Sequence, residues 1–332
     1  MSGDFGPRVT LPATLRALEN HPRLRISLVG DDQALAAALA SAGTTAGCRA
    51  RIEIVPAGGV LPMDAVPRDI LRGEQDSSLH VAMQLLAESR VDGVVSAGNT
   101  AALLALGRRH ISMLPGFSRP ALCAAMPVRT GYRYMMDLGA NVDCDADSLL
   151  EFAHLGTTLI NVLENNPQPG VALLCNGSEA NKGNLAIREA AKALERDPAI
   201  NFAGYMEGHE LHQPGAELVV CDGLVGNVAL KTAEGTADLA GSLIRESFSR
   251  HWWLRLVSIA AAPTLRGLKE SLSADRHAGA FLLGLRGVVV KSHGASTTEA
   301  FTTALDRAAR CIENNMIDKL ARHLDEQLAS DT

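Results

Sequence analysis

Short apolar runs alternate along the chain with longer segments whose apolar residues recur at helical spacing. The runs at 24–29, 51–55, 91–96, 121–126, 134–138, 171–175, 217–221 and 287–291 have strand length and are rich in aliphatic residues. Helix-length segments separate most of them, which predicts a mainly parallel sheet wrapped by helices. No repeat, low-complexity tract or linker breaks the alternation. Residues 1–332 therefore read as one α/β unit, with a protruding helical hairpin at about 240–278.

Three strand ends carry a second pattern. One is Val94-Val95-Ser96-Ala97-Gly98-Asn99-Thr100; another runs from Leu173 through Cys175-Asn176-Gly177 to Lys182-Gly183-Asn184; the third is Val219-Val220-Cys221-Asp222-Gly223-Leu224-Val225-Gly226-Asn227. Each passes from a buried strand through glycine and small polar residues into a helix. Free N–H groups and the helix dipole at such a junction attract an anion, most simply a phosphate. Sites in sheets of this class form at strand carboxyl ends, so the three junctions are expected to converge on one ligand.

Composition narrows the partners. With 47% hydrophobic and 20% charged residues the chain can bury a full core, and its formal net charge of -6 disfavours nucleic acid. No apolar segment has transmembrane length and no secretory signal opens the sequence. The cysteines at 48, 123, 144, 175, 221 and 311 form no C-x-x-C pair, and several fall in strand runs. They read as reduced core cysteines of a cytosolic protein, with no metal site. No G-x-G-x-x-G follows a strand with an acidic residue at the right distance, which disfavours a nicotinamide dehydrogenase.

The junctions belong to a longer series of peptides: Met1-Ser2-Gly3-Asp4-Phe5-Gly6-Pro7, Ser96 to Thr100, Arg119-Pro120-Ala121, Asp137-Leu138-Gly139-Ala140-Asn141-Val142-Asp143, Gly177 to Gly183, Cys221 to Lys231, and Leu283 to Gly287 running into Lys291-Ser292-His293-Gly294. In this order they resemble the bacterial phosphate acyltransferases of phospholipid synthesis, which move a fatty acyl group from acyl-carrier protein to inorganic phosphate. The resemblance implies a three-layer α/β/α sandwich used as a homodimer, with no cofactor. It also implies phosphatidic acid synthesis as the setting, with a membrane acyltransferase consuming the acyl phosphate. A related alternative is a small-acyl phosphotransferase between coenzyme A and phosphate; a non-catalytic adaptor would be expected to lack the loop donors present here. Three departures stand out. Ala101 replaces a glycine usual after Asn-Thr, Leu224 replaces a phenylalanine usual after Asp-Gly, and the apolar strand usual before Gly-Asp-x-x-Pro is missing, which points to a start codon assigned late.

Transfer to phosphate needs no protein nucleophile, because phosphate itself attacks the thioester. The protein must hold phosphate, aim it and stabilise the oxyanion. Lys182 and Asn227 are the leading candidates, both donors in matching loops; Lys182 is expected in the first turn of a helix, where the dipole disfavours a cation. Asn99 and Thr100 follow, although Asn99 and Asn227 also suit helix caps. Asp4, Asn141, Asp222 and His293 are placed to orient donors or move a proton, with His293 counted among the catalytic candidates and Lys231 among the binding ones. Gly177, Gly183 and Gly226 allow close approach of backbone to ligand. His110 and His154 sit in helical contexts and read as structural.

A separate feature lies at 249–269. Trp252, Trp253, Leu256 and Ile259 form an apolar stripe, and between Arg245 and Arg276 six Lys/Arg stand against three Asp/Glu. Such a tip suits peripheral contact with the inner face of the cell membrane. Docking of the acidic carrier protein and packing against a dimer mate are the alternatives.

Overall fold

The computed structural model describes residues 3–72, 76–177, 179, 182–249, 257, 261, 267 and 278–322. Its first helix, α1 (Pro7–Asn20), opens with a proline, whose missing N–H costs nothing there. β1 (Ile26–Gly30) and β2 (Ile52–Pro56) pair in parallel as a two-stranded sheet. Leu11, Leu18, Leu39, Cys48 and Ile52 join them to α1, α2 (Asp32–Ser41) and α3 (Ala46–Arg49). Asp31 and Thr45 cap α2 and α3 by accepting from backbone N–H groups.

After α4 (Pro67–Arg72) and α5 (Ser78–Ala87), the main sheet collects β3 (Gly93–Ser96), β4 (Ala121–Val128), β5 (Gly131–Met136), β6 (Gly170–Cys175), β7 (Asn201–Glu207), β8 (Leu218–Val220), β9 (Ala280–Leu283) and β10 (Val288–Lys291). The spatial order is β3-β10-β9-β4-β5-β8-β6-β7. All eight expected strands form, with ends moved by a few residues, and β7 and β9 are additional.

The sheet alternation sorts its side chains into two cores. Ala121, Cys123, Tyr134, Leu173, Val220, Phe281 and Val290 face α7 (Ala146–Glu164), α8 (Leu185–Arg196) and α10 (Thr298–Glu313). On the other face Leu282 and Val289 meet α6 (Thr100–His110), while Leu122, Met135 and Val219 meet α9 (Gly223–Ser249). The result is the expected three-layer α/β/α sandwich. On that face α6 lies over β3 and β10 and α9 over β4, β5 and β8, which makes the line between the two helices, over β9, the candidate cleft.

Five of the eight strand pairings are parallel, and the three antiparallel ones all involve β4 or β9. That insertion reverses the sense of the sheet midway. β3 and β10 point one way; β5, β8, β6 and β7 point the other. The three glycine-rich junctions therefore do not leave a common edge as the sequence suggested: the junction after β3 leaves one edge and those after β6 and β8 leave the opposite edge. Sheet twist of roughly 20–25° per strand accumulates over the four steps from β10 to β8 and curls those diagonally opposite corners toward one face of the sheet. α9 lies over this part of the sheet, since Ala229, Leu230 and Ala233 pack against the same core as Ala280 of β9.

The two sheets are not joined. Between β1 and β3 lies a cavity of about 750 Å³, walled by both strands and by Thr10, Leu79, Phe301 and Leu305. α9 runs from Gly223 to Ser249, into the stretch expected to form the hairpin. Beyond Ser249 only Val257, Ala261 and Gly267 are described before residue 278, so Trp252, Trp253, Leu256 and Ile259 lie outside the described residues. No helix among the described residues is long and apolar enough to cross a membrane.

Candidate active site

The exits of β5, β8 and β6 lie side by side. After β5 the chain turns around Asp137, which is fully buried and accepts from Leu122 N (2.8 Å), Ala140 N (3.2 Å), Asn141 N (2.7 Å) and Asn141 Nδ2 (2.9 Å). Burial pushes its carboxyl above the usual range, opposed by those four donors. Asn141 uses its second amide hydrogen on the Pro120 carbonyl at 2.9 Å. Both of its donors are engaged inside the protein, so Asn141 builds the loop and has none left for a ligand.

α9 begins directly on this loop. Asp222 caps it by accepting from Val225 N at 2.8 Å, and Gly223 N donates to the Asn141 carbonyl at 2.8 Å. The approach is possible only for glycine. A Cβ on Gly223 would meet the Asn141 carbonyl oxygen at 2.4 Å, and one on Gly226 would meet the Asp137 carbonyl oxygen at 1.9 Å. Asn227 stands in the helix beyond the cap, against Gly139, exposed and with no side-chain hydrogen bond among the described residues. The capping role open to it in sequence thus falls to Asp222.

At the β6 exit, Asn176 accepts from Gly183 N at 3.1 Å. Lys182 folds its stem over Gly177 and is half-buried, with no ion pair among the described residues. It precedes α8 rather than opening it. Asn184 is the N-cap, accepting from Ile187 N at 2.9 Å, so Lys182 is not in a first helical turn and its supposed conflict with the dipole disappears. Gly183 has φ +79°, and a Cβ there would strike Ile187 at 2.8 Å.

The other edge gathers the exits of β3 and β10. Asn99 caps α6 through Ala102 N (3.0 Å) and donates to the Met63 and Ala65 carbonyls (2.8 and 2.9 Å), so it ties a loop to a helix and its amide is fully engaged. Thr100 follows, half-exposed, its hydroxyl without a partner among the described residues. Asp4 is exposed and fixed to β10's exit by Asp4 N donating to the Gly294 carbonyl at 2.9 Å. His293 is exposed; its Nδ1 accepts from Ala295 N at 3.2 Å, which leaves Nε2 as the donor of a neutral ring. Lys231, two turns into α9, is exposed and pairs with Glu234 at 2.7 Å.

The structure adds two residues to those expected. Asp137 organises the β5–β8 edge, and Lys291, nine-tenths buried at the end of β10, has its ammonium pulled down to about 8 by burial and by Lys231, with Asp4 opposing. Both sat in recognised peptides, but nothing in the sequence marked Asp137 as enclosed or Lys291 as buried. Away from the cleft, His154 forms a buried pair with Asp197 at 2.8 Å, and His80 holds Ser77 at 2.7 Å beside His110.

Residues 1–319 match the fatty acid synthesis protein family. The phosphate acyltransferase of Pseudomonas fluorescens (strain Pf0-1) is 43% identical across 99% of this chain and 97% of its own. That of Legionella pneumophila (strain Paris) is 42% identical across 96% and 92%. Among solved structures, a phosphotransacetylase from Streptococcus pyogenes superposes with a TM-score of 0.61 at 18% identity, covering 92% of this chain and 93% of that one. A branched-chain phosphotransacylase from Enterococcus faecalis V583 gives 0.53 at 14%, covering 93% and 96%. The likeness to the solved structures shows a shared fold, and the full-length identity shows kinship: the chain is an acyltransferase belonging to the fatty acid synthesis protein family, in its phosphate acyltransferase branch.

Proposed function

We propose that this protein transfers a fatty acyl group from acyl-acyl-carrier protein to inorganic phosphate, releasing acyl phosphate and holo-carrier protein for the first steps of phosphatidic acid and phospholipid synthesis. The observation that carries the reading is the pair of uncommitted donors, Asn227 and Lys182, on adjacent strand exits. A phosphate oxygen bonds to the thioester carbonyl carbon. The carbonyl oxygen becomes an oxyanion, held by Asn227 and Lys182. Collapse breaks the C–S bond, and the carrier's thiolate leaves and takes the proton that hydrogen phosphate brought, while His293 Nε2–H supports the departing sulfur by a hydrogen bond. Thr100 and Lys231 hold the phosphate from the other edge, while Asp4 and Asp222 fix the loops around it. Gly177, Gly183 and Gly226 let backbone and ligand come close.

The long-chain donor is favoured over short acyl-coenzyme A by the apolar rim. Phe5, Met63 and Val66 are exposed near the β10 exit, and Val142, Leu224, Val225 and Val228 near the α9 start. Apolar surface left open around a polar cleft is suited to an alkyl chain. The remaining assignments follow the same reading: a single cytoplasmic unit, homodimeric, touching the inner face of the cell membrane and handing acyl phosphate to a membrane acyltransferase. Mass spectrometry after mixing protein, long-chain acyl-carrier protein and phosphate should detect acyl phosphate. Turnover of short acyl-coenzyme A but not of that donor would replace this reading with the small-acyl one.

A further inference from the structure

We propose that Lys291 is a direct phosphate ligand of this enzyme, donating from Nζ into the cleft opposite Lys231. The proposal rests on the reading of phosphate as acceptor and adds to it a residue and a place.

Lys291 ends β10, in register with Ser96 on β3 and Ala280 on β9. Ala280 and, from α9, Ala229, Leu230 and Ala233 pack against the same core, and Lys231 of that helix lies close enough to act on the Lys291 ammonium. The three residues before Lys291 are valines, so its stem continues a buried strand, and its buried ammonium lies within electrostatic reach of Asp4, whose loop is tied to the Gly294 carbonyl beyond β10. An ammonium has three donors. One goes to the Ser292 carbonyl, and no carboxylate lies within ion-pairing distance of Nζ among the described residues. A nearly buried cation beside a second cation is expensive to hold without a counter-charge. A lysine needed only to fill space is outcompeted by methionine, which has a similar stem and no charge to desolvate. A tetrahedral dianion resolves the conflict, because one ligand accepts from both ammonium groups and neutralises both.

Protonation gives the proposal a second observable. The charged groups acting on Lys291 are Lys231 from α9 and Asp4 from the amino-terminal loop; Ser96 and Ala280, its strand neighbours, carry none. With its pKa at about 8, the free enzyme's Lys291 is charged below that pH and loses its proton above it. Phosphate affinity should therefore fall as pH rises through about 8, and bound phosphate should push the amine back up.

The test is direct phosphate binding by calorimetry on the wild type, Lys291→Met and Lys291→Arg, with phosphate KM measured alongside. Lys291→Met should weaken phosphate about 10- to 100-fold, the loss of one charge-assisted hydrogen bond. Lys291→Arg, which does not titrate, should bind within a few-fold of wild type at pH 7 and keep its affinity past pH 8. Unchanged affinity in a folded Lys291→Met protein overturns the proposal. If that variant does not fold, an Lys291→Arg protein that still loses phosphate near pH 8 overturns it instead. Because binding is read without any thioester, a wild type that binds phosphate yet forms no acyl phosphate would sink the acyl-transfer reading and leave this assignment standing.

Discussion

Side chains around the cleft differ in how many of their hydrogen-bonding groups are already engaged, and that separates framework from machinery. Asn99 and Asn141 have both amide hydrogens committed to carbonyl or carboxylate oxygens, whereas Asn227 has none committed among the described residues. Asn227→Ala and Lys182→Ala should each lower turnover by roughly two orders of magnitude or more while melting within a degree or two of wild type. Asn141→Ala should behave oppositely, losing roughly 1–3 kcal/mol of stability because it strips Asp137 of a donor and leaves the Pro120 carbonyl unpaired. Circular dichroism melts and steady-state rates on the same preparations decide the matter; a folded Asn227→Ala enzyme with normal turnover refutes the assignment. The peptide wording was enough to single out Asn99, Asn141 and Asn227, each within two residues of a glycine. It could not rank them, because which amide is committed depends on Met63, Ala65 and Pro120, residues distant in sequence.

At the scale of elements, periodicity revealed the eight strands whose side chains are mostly apolar and missed two for different reasons. β7 reads Asn-Phe-Ala-Gly-Tyr-Met-Glu at the sheet edge, where one side of the strand faces solvent and polar residues are tolerated. β9, Ala280–Leu283, falls between the expected hairpin and the Leu283–Gly287 peptide, so its short apolar run did not stand out as a strand of its own. Yet β9 and β4 are what reverse the sheet, so the placement of the junctions on two edges was illegible until pairing was known. Where α9 lands on the Asp137 loop, the fit leaves no room for a methyl group. Gly226→Ala should cost roughly 2 kcal/mol or more and suppress activity together with stability, since α9 carries Asn227 and Lys231. The slot between β1 and β3 belongs to this scale too. Gly3 lies against Ala97 and Gly294, at the carboxyl end of β3 and β10, so a strand ending just before it would run through the slot alongside β3. Fusing six apolar residues ahead of Met1 should raise the melting temperature, as several side chains at roughly 1.5–3 kcal/mol each become buried. No rise in melting temperature would mean that the slot accepts no strand.

For the molecule as a whole, the open question is what covers the exposed apolar stripe of α9 and the tryptophan-bearing segment after it. Leu224, Val228, Leu239 and Leu243 are each more than half exposed, and their spacing places them along one face of the helix. A stripe of that length suits a second copy of the chain, with α9 as a shared element. The basic, tryptophan-containing segment suits a lipid interface, since burial of a few large side chains plus about 1 kcal/mol per nearby basic residue holds a protein reversibly at an anionic surface. The two surfaces make separable predictions. Leu239→Glu with Leu243→Glu should convert a dimer to monomers in sedimentation velocity. Trp253→Glu with Leu256→Glu should abolish co-sedimentation with phosphatidylglycerol vesicles while leaving the dimer and acyl phosphate synthesis in solution largely intact. High salt should weaken vesicle binding without eliminating it, because the apolar contribution is not screened. If the Trp253 and Leu256 pair instead yields monomers, that segment is packing between copies; if it still sediments with vesicles, the lipid contact lies elsewhere.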